Sequence, residues 1–202
     1  MRFQLERRGL LVVLSAPSGG GKSAVLKRLL RSDRQINYSV SYTSRPPRPK
    51  ETDGREFHFV SPPKFKKMIV AGEFYEHAEV HGHLYGTSAI VIEEALRDRR
   101  DIAMDLDVQG GLNMKKRRPG SILIFLMPPS MSLLERRLRR RASDAEKQIK
   151  IRMKNATREI KYWSRYDYVV VNDRMDRTVS EVRQIIQSER LRASRYSLSK
   201  IN

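Results

Sequence analysis

The chain has 202 residues, enough to bury one substantial core. Its 41 lysines and arginines against 23 aspartates and glutamates give a formal net charge of +18, which points to an anionic partner: nucleotide, nucleic acid or acidic lipid. Cysteine is absent, so disulfides, thiolate metal sites and cysteine nucleophiles are excluded, and a reducing compartment, the cytoplasm, is the expected location.

Arg7 and Arg8, followed by apolar residues 10–14, imitate the start of a secretory signal. The run is too short for that and breaks at Pro17, so it reads as a buried first strand. No apolar stretch approaches the ~20 residues that span a bilayer, so a soluble chain without a membrane partner is expected. The strand leads into a glycine-rich loop in which Gly21, Lys22 and Ser23 fit the end of a phosphate-binding pattern, with Ala16 at its first, usually glycine, position. In that reading the amides of residues 18–22 wrap an anion, Lys22 reaches the outer phosphates and Ser23 coordinates Mg²⁺ at a helix N-terminus. The nucleoside-triphosphate-binding stretch is then Ala16, Pro17, Ser18, Gly19, Gly20, Gly21, Lys22, Ser23 and Ala24. A rival dinucleotide fingerprint, Gly19, Gly21 and Ala24, requires an acidic residue about 20 positions on, and none stands between Asp33 and Glu51.

Residues 38–42 are a weaker strand candidate. Residues 45–87 then break the pattern with a proline-rich loop, strand-like pieces at 57–60 and 74–80 and a turn at His81, Gly82 and His83, which together read as a small β-rich insert. His77, His81 and His83 invite a metal site, but no further ligand is obliged to join them, and the turn reads as exposed. Arg45 and Arg48 lie three apart on the proline-stiffened loop, and paired guanidinium groups suit bidentate phosphate binding. A helix is expected over 89–99, strands over 102–106, 121–126 and 168–171, and helices over 131–141, 145–160 and 177–192. Continuous apolar strands separated by helices predict an α/β fold with a doubly wound parallel sheet. Asp105 and Asp107 close one strand just before a plausible helix at Val108, which Asp107 could cap.

From Ser41 through Thr43, Arg45, Arg48, Glu51, Asp53 and Gly54 the chain resembles guanylate kinase. The resemblance continues through Glu76, Tyr85, Gly86 and Thr87, the run from Asp105 to Gly110, the arginines at 137–141, and Asn172 with Asp173. It implies a sheet of the P-loop NTPase type formed by residues 1–36, 88–126 and 162–202, a GMP-binding insert over 37–87 and a helical lid over 127–161. It also implies ATP-dependent phosphorylation of GMP, and of dGMP, with Mg²⁺. Arg45, Arg48 and Tyr85 match groups that hold the GMP phosphate, and Ser41, Glu76 and Thr87 those that read guanine. A carboxylate at Glu76 can accept from guanine N1–H and the 2-amino group, a donor pair that adenine lacks. Asp105 matches the residue assigned to a Mg²⁺-bound water and Asp107 one on the GMP side. The implied catalytic set is Lys22, Arg45, Asp105, Arg137, Arg141 and Arg152, the last three supplying lid charge around the migrating phosphoryl group.

Three positions depart from the family pattern: Ala16, Lys50 where glycine is usual, and Phe57 where a tyrosine normally bonds the GMP phosphate. Two other classes stay in view. A catalytically silent, protein-binding relative could discard the loop lysine and lid arginines that this chain retains, and a nucleic-acid binder rests on net charge alone. The partners expected are therefore ATP and GMP rather than nucleic acid, and no oligomeric state follows from the sequence.

Overall fold

Residues 10–14 are essentially inaccessible to solvent, and their alternation divides the core into two layers. Leu10, Val12 and Leu14 face one layer, and Leu11 and Val13 the other. The computed structural model describes residues 2–49, 51–80, 82–140 and 146–201. It begins with β1 (Arg2–Arg7), β2 (Leu11–Ser15), α1 (Lys22–Ser32) and β3 (Ile36–Tyr38). Next come β4 (Tyr42–Thr43), β5 (His58–Phe59), α2 (Pro62–Val70), β6 (Phe74–Val80) and β7 (His83–Ser88). The chain continues with α3 (Ala89–Arg97), β8 (Asp101–Asp105), α4 (Val108–Arg117), β9 (Ile122–Met127), α5 (Met131–Arg139) and α6 (Glu146–Ile160). It closes with β10 (Tyr168–Val171), α7 (Met175–Arg190) and β11 (Tyr196–Ile201).

Five strands form a parallel sheet in the order β10-β9-β2-β8-β3. On one face α1 and α7 pack Val25, Leu29, Val179, Val182 and Ile186 against it. On the other, α3 and α4 pack Ile92, Leu96, Val108, Leu112 and Met114. This is the doubly wound α/β arrangement, and strands covered on both faces must be apolar throughout. All strand C-termini point one way, so the glycine loop after β2, Asp105 at the end of β8 and Asn172 after β10 share one end of the sheet.

The opposite end is tied by buried charge. The Asp101 side chain is fully buried and accepts from Arg7 Nη1 at 2.7 Å, Leu10 N at 2.9 Å and Arg190 Nε at 2.7 Å. Arg190 also donates to Asp33 at 2.8 Å. One cluster thereby joins β1, the end of α1, the start of β8 and the end of α7.

The insert has its own four-stranded sheet, β5-β4-β7-β6, and a small core of Phe65, Met68 and Phe74. The rings of Phe65 and Phe74 stack at 4.6 Å, and a Cβ on Gly86 would come within 2.9 Å of Phe74, so this crossing requires glycine.

The structure corrects several sequence expectations. The strand expected at 38–42 is two: β3 joins the parallel sheet and β4 the insert. Helix α2 was not anticipated, although Ser61 caps it, accepting from Lys64 N, and prolines fill its first turn, a recognisable start signal. The antiparallel pair β1 and β11 was also missed. The helix expected over 89–99 stops at Arg97, before Arg99 takes a φ of 61°. Among the described residues no helix is long and apolar enough to cross a membrane.

Candidate active site

The loop between β2 and α1 turns at Gly19 (φ 84°) and Gly21 (φ 90°), conformations that side chains other than glycine disfavour. Gly21 is the N-cap of α1 and offers no side-chain acceptor, so the first amides of that helix are left for an anion. Lys22 Nζ lies at the loop, 3.1 Å from the Ala16 carbonyl.

Packing around the loop explains its composition. A Cβ at Gly20 would fall 2.5 Å from the Ala16 Cβ, so alanine at the first loop position is accommodated because position 20 has no side chain. A Cβ at Gly19 would meet Leu138 Cδ2 at 2.8 Å, which places α5 directly on the loop. Asn172 Nδ2 donates to the Gly20 carbonyl at 2.7 Å and is itself oriented by Thr178, whose hydroxyl donates to Asn172 Oδ1 at 3.2 Å. The resemblance included Asn172 without giving it a role; its position just past a parallel strand was the available signal.

The arginines expected to serve a lid differ in what they touch. Arg137 Nη2 donates to the Asn172 carbonyl at 2.9 Å, while its buried Nη1 has no hydrogen-bond partner among the described residues. Burial and then the neighbouring Arg140 lower its pKa, the signature of a cation placed where an anion would relieve it. Arg152 Nε donates to Ser18 Oγ at 3.1 Å. Arg141 lies outside the described residues, as do Lys50 and His81.

Ser23 Oγ donates to Asp105 Oδ2 at 2.7 Å, and Tyr38 OH lies 3.5 Å from Asp105 Oδ1. Burial first, then Asp105, raises the Tyr38 pKa, so this phenol stays protonated. A hydroxyl and a carboxylate beside a phosphate loop are hard oxygen donors. They fit Mg²⁺, which uses one or two carboxylates together with waters and substrate phosphates.

On the insert, Glu76 and Thr87 are paired across β6 and β7, and Thr87 Oγ1 donates to Glu76 Oε1 at 2.7 Å. Burial raises the Glu76 pKa against that hydrogen bond, and nearby Asp107 adds to the rise. Both carboxylates meet the start of α4: a Cβ at Gly110 would lie 3.1 Å from Asp107 Oδ1 and 3.5 Å from Glu76 Oε2. Asp107 caps that helix, accepting from Gly110 N at 2.6 Å, so it has a structural role beside any contact with substrate.

A second group surrounds Arg45. This nearly buried guanidinium donates through Nη2 to both Glu51 oxygens at 2.9 Å and through Nη1 to the Pro46 carbonyl. Burial opposes its charge, but Glu51 and Tyr85 outweigh burial and raise its pKa. The Phe57 ring lies 5.6 Å from the guanidinium and 5.8 Å from the Tyr85 ring, so a cation–π contact stands at the position where this chain departs from the family's tyrosine. Arg48 is exposed, and only its backbone joins, donating to Glu51 at 2.7 Å. Ser41 enters through its carbonyl, which accepts from His58 N at 2.9 Å.

A family model described as Guanylate kinase matches residues 8–189. The chain is similar to the guanylate kinase of Mesorhizobium japonicum, 46% identical over 193 residues that cover 95% of this chain and 88% of the relative. It is likewise similar to that of Zymomonas mobilis subsp. mobilis, 45% identical over 194 residues, covering 96% and 90%. Among solved structures, guanylate kinase from Anaplasma phagocytophilum aligns with a TM-score of 0.77 at 33% identity, covering 95% of this chain and 92% of that one. With its glycine loop at the end of a parallel sheet, Asp105 turned to that loop and Asp107 beside Glu76 of the β-rich insert, the chain belongs to the guanylate kinase family.

Proposed function

We propose that the chain transfers the terminal phosphoryl group of ATP to GMP, and to dGMP, giving ADP and the diphosphate, as a cytoplasmic step in guanine-nucleotide recycling. One observation carries this reading. Ser23 on the loop bonds Asp105, and Asp107, two residues further on, stands beside Glu76 on the insert, so the end of a single strand links donor loop and base reader.

In this reading the amides of residues 18–22 hold the donor phosphates, Ala16, Pro17, Gly19 and Ala24 shape the loop, and Lys22 reaches the outer phosphates. Arg137, Arg141 and Arg152 place positive charge around the migrating group, since phosphoryl transfer asks the protein chiefly for positioning and electrostatic stabilisation. Ser23 and, through water, Asp105 hold Mg²⁺, which when bound neutralises charge on the phosphates. Arg45, Arg48 and Tyr85 hold the GMP phosphate. Glu76, oriented by Thr87 and assisted by Ser41, accepts from the guanine edge, with Asp107 on the same side. The positive excess serves small anionic nucleotides rather than nucleic acid.

The test is transfer of label from γ-labelled ATP in the presence of Mg²⁺ and GMP. Label is expected in GDP, with little released as inorganic phosphate. Absence of labelled GDP would refute the reading.

A further inference from the structure

Helix α6 has an inward face made by residues 149, 152, 156 and 159, which follow the spacing of one helical stripe. Ile149 and Ala156 on it are buried, whereas Lys147, Lys150, Lys154 and Arg158 elsewhere on the helix are exposed. Two of the inward residues are charged, and both bond the same residue of the loop. Arg152 Nε donates to Ser18 Oγ at 3.1 Å, and Glu159 Oε2 accepts from the Ser18 amide at 3.0 Å.

The Glu159 contact is not explained by the helix itself. Glu159 lies in the last turn of α6, where the helix dipole disfavours a carboxylate. It also places a negative charge among amides that suit a phosphate. The Ser18 N–H is a single donor, and a phosphate oxygen and the Glu159 carboxylate cannot both take it in good geometry. They are, moreover, anions and repel one another.

We propose that Glu159 is a positioning residue of the donor site, a carboxylate that competes with a donor phosphate for the Ser18 amide and couples phosphate binding to release of α6 from the loop. The inference rests on the reading that this loop binds ATP. Because α6 also carries Arg152, displacing Glu159 frees the helix to re-aim that guanidinium at the phosphate. The carboxylate thus discriminates against partial occupancy: only an anion strong enough to take the amide shifts the lid helix.

The test is calorimetric titration of MgATP and, separately, GMP into the wild type, Glu159→Gln and Glu159→Ala, with thermal melting to establish that each variant is folded. Removing the competing charge is expected to tighten MgATP binding by about fivefold or more in both variants while the GMP affinity stays the same, a differential effect of ordinary coupling size. In turnover, KM for ATP falls and KM for GMP does not. A contact that merely braces the loop gives the opposite sign, weaker MgATP binding, above all in Glu159→Ala. Unchanged or weaker MgATP binding in the variants overturns the proposal while leaving the functional reading intact. If neither wild type nor variants bind MgATP, the functional reading falls and the proposal with it.

Discussion

Strand β8 carries an aspartate at each end, and the two are used in opposite ways. Asp101, at the N-terminal end, is wholly buried and its acceptor capacity is filled by Arg7, Arg190 and the Leu10 amide. Asp105, at the C-terminal end, is half-buried, bonds Ser23 and is approached by Tyr38, and keeps acceptor capacity on the side of the loop. Residue type and strand are the same. What differs is the direction of a parallel sheet, whose N-terminal edge is closed by the chain and whose C-terminal edge receives the loops. A carboxylate saturated by its own fold stabilises, and one left partly unsaturated is available for chemistry.

The sharpest way to break this contrast is to remove the saturated member. Asp101→Ala leaves Arg190 and Arg7 without their shared partner, and losing one member of a buried ionic cluster costs about 3–5 kcal/mol. Chemical denaturation should show that loss, while turnover per folded molecule at low temperature is retained. The cluster also has a predictable acid limit. Burial raises the Asp33 pKa, but Arg190 and the Gln35 amide outweigh it and hold it below the ordinary 3.8. Its contribution is therefore complete above that value and is lost as pH falls through the lowered one.

Asp105→Asn, at the other end, should do the reverse. It keeps the volume and removes the charge that would orient a Mg²⁺-bound water, so kcat should fall by roughly two orders of magnitude, about 2.7 kcal/mol, with stability nearly unchanged. A variant that is unstable but fully active would erase the distinction between the two aspartates.

A third experiment asks how tightly the C-terminal edge is packed. Gly20→Ala sets two Cβ atoms against each other and should cost about 1–3 kcal/mol of stability, with loss of ATP affinity. Adding Ala16→Gly should restore part of both, since the new Cβ also lies 2.8 Å from the Pro17 carbonyl oxygen, and a double-mutant cycle measures the coupling. Additive effects would show that the two positions do not share this space.

Glu76 sharpens the comparison on the insert, as a carboxylate that is half-buried yet only partly satisfied. Glu76→Gln replaces an acceptor with a mixed donor and acceptor, and kcat/KM for GMP relative to AMP should fall about tenfold. Stability should move the other way. The folded pKa lies above the ordinary 4.5, so the folded protein binds more protons than the unfolded chain just above that pH, and wild-type stability declines as pH rises through the window up to the raised value. Glu76→Gln lacks that decline and should melt slightly higher at neutral pH. A lower melting temperature there would mean that the carboxylate supports the fold.

The donor side was legible because its residues are contiguous. A buried strand, a glycine loop and a helix read off in order, and residues 168–171 coincide with β10. What escaped depends on contacts between distant positions. The Ala16 and Gly20 packing has no pattern of its own, and Glu159 is one charge in a segment full of them until the burial of Ile149 and Ala156 identifies its face. Strands β1 and β11 escaped because pairing, not burial, defines them: Leu5 and Leu198, partners across the ribbon, are 65% and 63% exposed. Helix α2 could have been found, since Ser61 followed by two prolines is a start signal.

The most direct test of the account is a coupled assay for ADP production with MgATP and GMP, AMP, UMP or dTMP as acceptor. The account predicts rapid turnover with GMP and rates lower by orders of magnitude with the other three, since only guanine presents the donor pair that Glu76 accepts. Comparable rates with AMP, or no turnover with any acceptor, would contradict it.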